Sequence, residues 1–409
     1  MKLPALPPFR KWFVFALLNL FVVSLLGVFL RFIQIFSVPE INYGFLLHAH
    51  SHFAFAGWGF LALFIAMVHS FIPAQLASGK SYKAMFWLMQ IAAFGMLLSF
   101  PFEGYAAVSI SFSTLFVAVS YWFSWRFFKD SRIEERNAVS IRFARMALVF
   151  LVISSIGPFS LGPIMANGGR GSHLYFNALY FYLHFQYNGW FSLGAFALLF
   201  RWIEQHHLIY SKKSALLFYR LMVWSCVPAF LLSVLWIHPA SWVYLLAGIA
   251  GLIQVIALIP FWKIIRQCNN VIGKHLSKIT RTLLLISCIS FTLKLILQLL
   301  SAIPLMAQWA FEIRNLVIGY LHLVLLAFFT LFLFAYFIEE RFLSVIHRNV
   351  RWGLACFVTG ILITELLIFG QGTGNLLNTA IPEFKLLLAT VSILLPLGLF
   401  MILLRQLRR

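Results

Sequence analysis

Residues 41–73 read INYGFLLHAHSHFAFAGWGFLALFIAMVHSFIP, and this stretch decides how the rest of the chain is read. Three histidines, His48, His50 and His52, open an apolar run long enough to cross a hydrocarbon core, which takes about 20 residues of helix. An imidazole is costly in lipid without a partner or a ligand. On a helix His48 and His52, four apart, share one face, and His50 points to roughly the opposite side. One ring is thereby free to bind a haem iron or a metal while the others meet water or a neighbouring helix. The alternative is a polar cluster where the helix enters the interface, which needs no cofactor.

Outward from this stretch the same texture continues. The chain has 409 residues, 62% of them hydrophobic and 10% charged, with a mean hydropathy of +0.93. Apolar runs recur from end to end, and lipid offers the backbone no hydrogen-bond partners, so helices must satisfy it internally. The expectation is an all-α polytopic membrane protein, a single integral membrane domain over residues 1–409, with the lipid bilayer as its first partner. Hydropathy places about twelve spans, near 11–35, 45–72, 84–102, 106–128, 141–165, 174–203, 214–236, 241–265, 279–303, 310–338, 351–371 and 383–405. The N-terminal segment reads as a retained first span and not as a cleaved signal.

The net charge of +20 does not point to nucleic acid, because Lys and Arg gather in alternate loops. Basic segments are the N-terminus with Lys2, the loop with Lys80 and Lys83, RFFKDSRIEERNAVSIRFAR, residues 201–220, 263–281 and 341–351, and the C-terminus with Arg408 and Arg409. The intervening loops are nearly free of them, which places both termini in the cytoplasm. The intramembrane histidines His48, His50, His52, His184 and His322 then share an outward-lying depth, together with His173 and His238. Cysteines 226, 268, 288 and 356 lack metal-site or disulfide spacing.

Two further spans carry polar groups. The sixth contains YFYLHFQYNGWF, with His184, Gln186, Tyr187 and Asn188 within a turn and a half, which implies a polar pocket or an interhelical hydrogen-bond knot. The tenth contains IGYLHLVLLAF, with Tyr320 and His322. Lys294 in FTLKLILQLL and Glu365 in GILITELLIF are charges inside spans, read as a proton path, as a pair, or as a Lys that snorkels. GQGTGN at 370–375 lacks the Lys-Ser/Thr of a phosphate loop and reads as a flexible turn, as does Gly168-Gly169-Arg170-Gly171.

These motifs resemble the large subunit of haem–copper oxidases and nitric oxide reductases. HSHFAFAGW at 50–58 is similar to their second-helix low-spin haem segment, LHFQYNGW at 183–190 to the sixth-helix stretch whose His binds the non-haem metal, and YLHLVLLAF at 320–328 to the tenth-helix haem segment. PASWVYLLAGIAGLIQVIALIPF at 239–261 resembles the reductases' P-x-x-W segment. The resemblance implies a subunit I-like bundle in a bacterial inner membrane, with low-spin haem b on His50 and His322. It leaves His48 and His52 as alternative ligands and Arg170 and Arg314 as propionate partners. It also implies a quinol or a cytochrome as electron donor and a small gas as ligand.

Departures from the family pattern are as informative. Tyr320 stands where the active haem's His would be, the adjacent His–His pair before Pro239 is absent, and Asn188 replaces a Glu. The second site, a haem or a non-haem metal, would be altered, with His184, His238, Tyr187 and Tyr320 as its candidates. Two axial imidazoles leave iron no open position, which suits electron transfer. The rival readings are a proton-coupled secondary transporter using the intramembrane His, Lys and Glu, and a scaffold without cofactor.

Overall fold

The computed structural model describes residues 9–36, 38–131, 138–377, 379 and 381–407. Lys2, the charged residues 132–137 and the terminal Arg408 and Arg409 fall outside these. Helix makes up 86% of the chain, and no strand occurs among the described residues. Among the described residues eleven helices are long and apolar enough to cross a membrane: α1 (Phe9–Ile33), α2 (Tyr43–Phe71), α3 (Lys80–Glu103), α4 (Ala107–Asp130), α5 (Val139–Ala166), α7 (Lys212–Ile237), α8 (Ser241–Asn269), α9 (Lys278–Leu300), α10 (Arg314–Glu339), α11 (Arg348–Leu376) and α12 (Phe384–Leu407). A further helical run, α6, spans residues 173–205 at the place of the sixth expected span and is diluted by its polar residues. The all-α polytopic expectation holds.

The helices fall into two compact units. One comprises Met1–Ser131 and Tyr336–Arg409, and the other Arg132–Ala335. In the first, α2 is enclosed by α1 and α3, α4 lies on α3, and α12 joins α1 to α11. Of the apolar stretch of α2, 83% is buried, against 33% in that of α4, so α2 is the central helix. Trp12 of α1 stacks on Phe86 of α3 with ring centroids 4.7 Å apart. Where α11 crosses α12, Gly353 and Gly398 face each other: a Cβ on Gly398 would lie 2.5 Å from the Gly353 carbonyl oxygen. In the second unit, α5 packs on α6, α7 on α8, and α9 on α8 and α10.

One sequence expectation is corrected. GQGTGN does not form a turn: α11 runs through it to Leu376. Gln371 donates to Asn375 Oδ1 one turn on at 2.7 Å, Thr373 donates to the Phe369 carbonyl at 3.0 Å, and Gln371 Oε1 accepts from Ile381 N at 2.9 Å. These bonds offset the cost of the glycines, about 1 kcal/mol each in a helix. Gly168-Gly169-Arg170-Gly171 is the turn its composition implies, with φ of 73° at Gly168 and 79° at Gly171.

Candidate functional site

Each of the three histidine-bearing spans departs from α-helix just after its histidine. π-Helical turns occupy Ala54–Phe60 in α2, Phe185–Phe191 in α6 and Leu323–Thr330 in α10. Such a turn holds one residue more than an α turn, releases a carbonyl from its usual partner, and is frequent at functional sites. Side chains take up the released carbonyls. In α2, Asn19 of α1 donates to Gly57 O at 2.7 Å and to Gln90 Oε1 of α3 at 2.7 Å. In α6, Ser192 donates to Tyr187 O, five residues back, at 2.5 Å. In α10, Thr330 donates to Leu325 O, again five back, at 2.7 Å, and Ser287 of α9 donates to Phe328 O at 2.8 Å.

A signal for these turns lies in the sequence and was missed above. A histidine is followed five residues on by a small residue and then an aromatic in three places: His52–Gly57–Trp58, His184–Gly189–Trp190 and His322–Ala327–Phe328. The small residue is where a neighbour comes close. A Cβ on Gly189 would lie 2.4 Å from Phe150 Cβ of α5.

In the first unit the structure separates the three histidines as their spacing implies. His52 Nε2 is 2.8 Å from the Tyr105 hydroxyl, and its ring stacks on Phe100 at 4.5 Å. His48 lies on that side too, 4.8 Å from the Tyr105 ring. His50 faces α1 instead. Its Cε1 is 3.3 Å from where a Cβ on Gly27 would sit, its Nδ1 lies on the side of the Val23 backbone, and Nδ1 makes no hydrogen bond of ordinary geometry. Of the three, His50 is therefore the ring turned away from Tyr105 and toward α1. Arg31, not singled out in the sequence, is the cation acting on His50 and on Glu365. Its guanidinium is held by Ser392 Oγ at 2.5 Å and Leu388 O at 3.4 Å on α12.

In the second unit three of the four residues expected at an altered metal site come together. His184 is buried, and both its nitrogens are engaged: Nε2 with the Cys226 carbonyl at 2.8 Å and Nδ1 with Asn188 Nδ2 at 3.0 Å. A carbonyl only accepts, so Nε2 carries the proton, and Nδ1 accepts from the amide. The one ring lone pair, on Nδ1, is taken by Asn188, so His184 does not fit a metal ligand in this arrangement. The Tyr187 and Tyr320 rings meet edge to face at 5.8 Å, and the Tyr320 hydroxyl donates to Gln298 Oε1 at 3.2 Å. Gln186 donates to Ser154 Oγ at 2.9 Å. This is the hydrogen-bond knot that was the alternative reading of the sixth span.

His238 is not part of that group. It is exposed, with φ of 52°, just after the 3-10 end of α7, whose Trp236 meets His173 at the start of α6 edge to face at 5.1 Å. His173 is roughly 16 Å along the helix from His184 at 1.5 Å per residue. Among the described residues no group of three or more His, Cys, Asp or Glu could hold a metal ion. Arg170 is exposed in its glycine turn, and Arg314 is exposed at the first position of α10. Lys294 does not snorkel. It is 0% exposed, its Nζ has no hydrogen bond, and it lies over the Phe291 ring at 5.9 Å.

The sequence matches no protein-family model and no curated protein.

Proposed function

We propose that the protein is a haem-binding integral membrane protein for electron transfer, in the cytoplasmic membrane of a bacterium. His50 and His322 are its axial-ligand candidates for a low-spin haem b. One observation carries this reading: three spans, and the three that carry the motif histidines, each break into a π turn within two residues of a histidine. Such turns are kept at a cost where a side chain must be aimed. His50 adds a half-buried ring turned toward α1, with its Nδ1 edge toward the Val23 backbone.

When bound, the haem would supply one-electron chemistry. The chain's own residues would hold and orient it. Val23 backs the Nδ1 edge of His50, the arrangement that fixes a ligating ring. Arg31, anchored to α12, offers a cation for a propionate in place of Arg170 and Arg314. His184 has no ligand role, so a second metal or haem on it forms no part of the proposal. A quinol or a cytochrome is the proposed electron donor.

The test is the visible spectrum of the purified protein. Sharp α and β bands on reduction are expected, lost in His50→Ala and in His322→Ala and retained in His184→Ala. A colourless protein, or one whose bands vanish only in His184→Ala, defeats the reading. The proton-coupled transporter then stands as second choice, favoured by the ionisable Lys294 in a dry helical core.

A further inference from the structure

Two helices of the second unit end on histidines that the fold brings together. α6 ends at Gln205, with His206 as its cap and His207 beyond it at φ of 51°. The helix that completes α8 runs Leu258–His275 and ends on a histidine of its own. The rings of His206 and His275 lie with centroids 6.0 Å apart and planes at 64°, and both residues are exposed. The loop after α6 is tied to the same helix, since Gln267 Oε1 accepts from Ser211 N at 3.0 Å.

His206 is held as a metal ligand would be. Its Nδ1 is 2.9 Å from the Trp202 carbonyl, and its ring stacks on Trp202 at 4.3 Å. A carbonyl only accepts, so Nδ1 carries the proton and Nε2 keeps the lone pair. An N–H committed to a backbone carbonyl fixes the tautomer and the ring of a ligating histidine. Two imidazoles on one metal, at a metal–nitrogen distance of about 2.0–2.1 Å, set their ring centroids about 5–6 Å apart. The observed separation falls within that span.

Charge and ligand type narrow the occupant. Each helix C-terminus carries the equivalent of roughly half a negative charge, which favours a cation. Arg281 opposes it, with Nη1 3.6 Å from where a Cβ on Gly273 would sit, so charge alone does not hold an ion there. Nor does a carboxylate. The acidic side chains in the described part of this unit are Glu204, which accepts from Val139 N and Ser140 Oγ, and Glu312, which accepts from Gln308. Imidazoles without carboxylates do not serve Mg²⁺ or Ca²⁺, which take oxygen ligands, and they suit zinc, nickel or copper.

We propose that His206 and His275 bind one first-row transition-metal dication of the class of zinc, with water at its open positions. The ion clips the end of α6 to the end of the helix that completes α8. Neither residue is a candidate haem ligand, so the site stands or falls apart from the haem reading.

The test uses the purified full-length protein in detergent, without a polyhistidine tag and stripped with a chelator. Equilibrium dialysis against zinc chloride is expected to show a retained zinc whose binding weakens at least about tenfold in His206→Gln and in His275→Gln, as loss of a ligand requires. Magnesium chloride should give no retention. On the unsubstituted protein, modification by diethyl pyrocarbonate is mapped by mass spectrometry, and zinc should protect both His206 and His275. No zinc retained, equal retention of magnesium, or unchanged binding in either variant overturns the proposal. Should a variant fail to accumulate, the protection experiment decides, and zinc that leaves either histidine open to modification overturns it.

Discussion

Asn19 is the perturbation with the most to say about the first unit. It is 0% exposed, and its amide bridges three helices by donating to Gly57 O in the π turn of α2 and to Gln90 Oε1 of α3. Asn19→Leu preserves volume and removes both bonds. In water a buried acceptor left unsatisfied costs about 1–3 kcal/mol, which would total about 2–6. Interhelical bonds in bilayers measure less, about 0.6 on average and about 1.7 at most, because the unfolded helices also find partners there. That reference state is the relevant one, so the expected loss is about 1–3 kcal/mol. Unfolding in mixed micelles by a denaturing detergent, followed by far-UV circular dichroism, measures it. Adding Gln90→Leu should recover part of the loss, since one of the two orphaned acceptors disappears with its side chain. A loss below about 0.5 kcal/mol, or a double variant worse than the two single variants summed, would refute the account. A local effect should accompany it. If the π turn relaxes to α, residues before it rotate by about 100° relative to those after, carrying His50 off its face against α1.

Two smaller tests follow. Gly398→Ala places a methyl 2.5 Å from the Gly353 carbonyl and 2.7 Å from Phe357 N, backbone atoms that cannot step aside. A loss of about 1–3 kcal/mol or more is expected in the same unfolding assay, whereas Gly162→Ala, with nothing within 4 Å, should be neutral or mildly stabilising. In the loop after α6, burial and then the neighbouring Glu204 carboxylate push the Tyr210 hydroxyl up to about 12. A free tyrosine ionises near 10. The folded state therefore favours the neutral phenol, so this contribution is intact below pH ~10 and is lost as pH rises toward ~12. The alkaline fall in unfolding midpoint should be shallower in Tyr210→Phe, and an unchanged profile would count against the assignment.

Much of this was legible before any coordinates. Apolar run length gave the helices, because in lipid the backbone leaves few alternatives, and four-residue spacing placed His48 and His52 together and His50 apart. What escaped was set by partners distant in sequence. The π turn of α2 depends on Asn19, 38 residues from Gly57, and Asn19 in turn on Gln90, 71 residues away. Local composition misled at GQGTGN, where i,i+4 side-chain bonds outweigh the glycines. Arg31 was overlooked because a basic residue at a helix end reads as a loop charge until α12 is seen to hold it. Lys294 was expected to find a carboxylate or the interface, and its burial could be known only from the helices packed around it. The local half of the π-turn signal, Ser192 to Tyr187 and Thr330 to Leu325, was present as a five-residue offset that helix reasoning at offsets of three and four passes over.

The π turns also make a statement about how the chain tolerates changes of length. Deleting one residue from an ordinary transmembrane helix twists everything beyond it out of register with its neighbours. Deleting one from 54–60, 185–191 or 323–330 would instead return that segment to α geometry and leave both flanks seated. At these three places a single codon can be lost without unseating the helix, and what would change is the aim of the side chains within the turn itself.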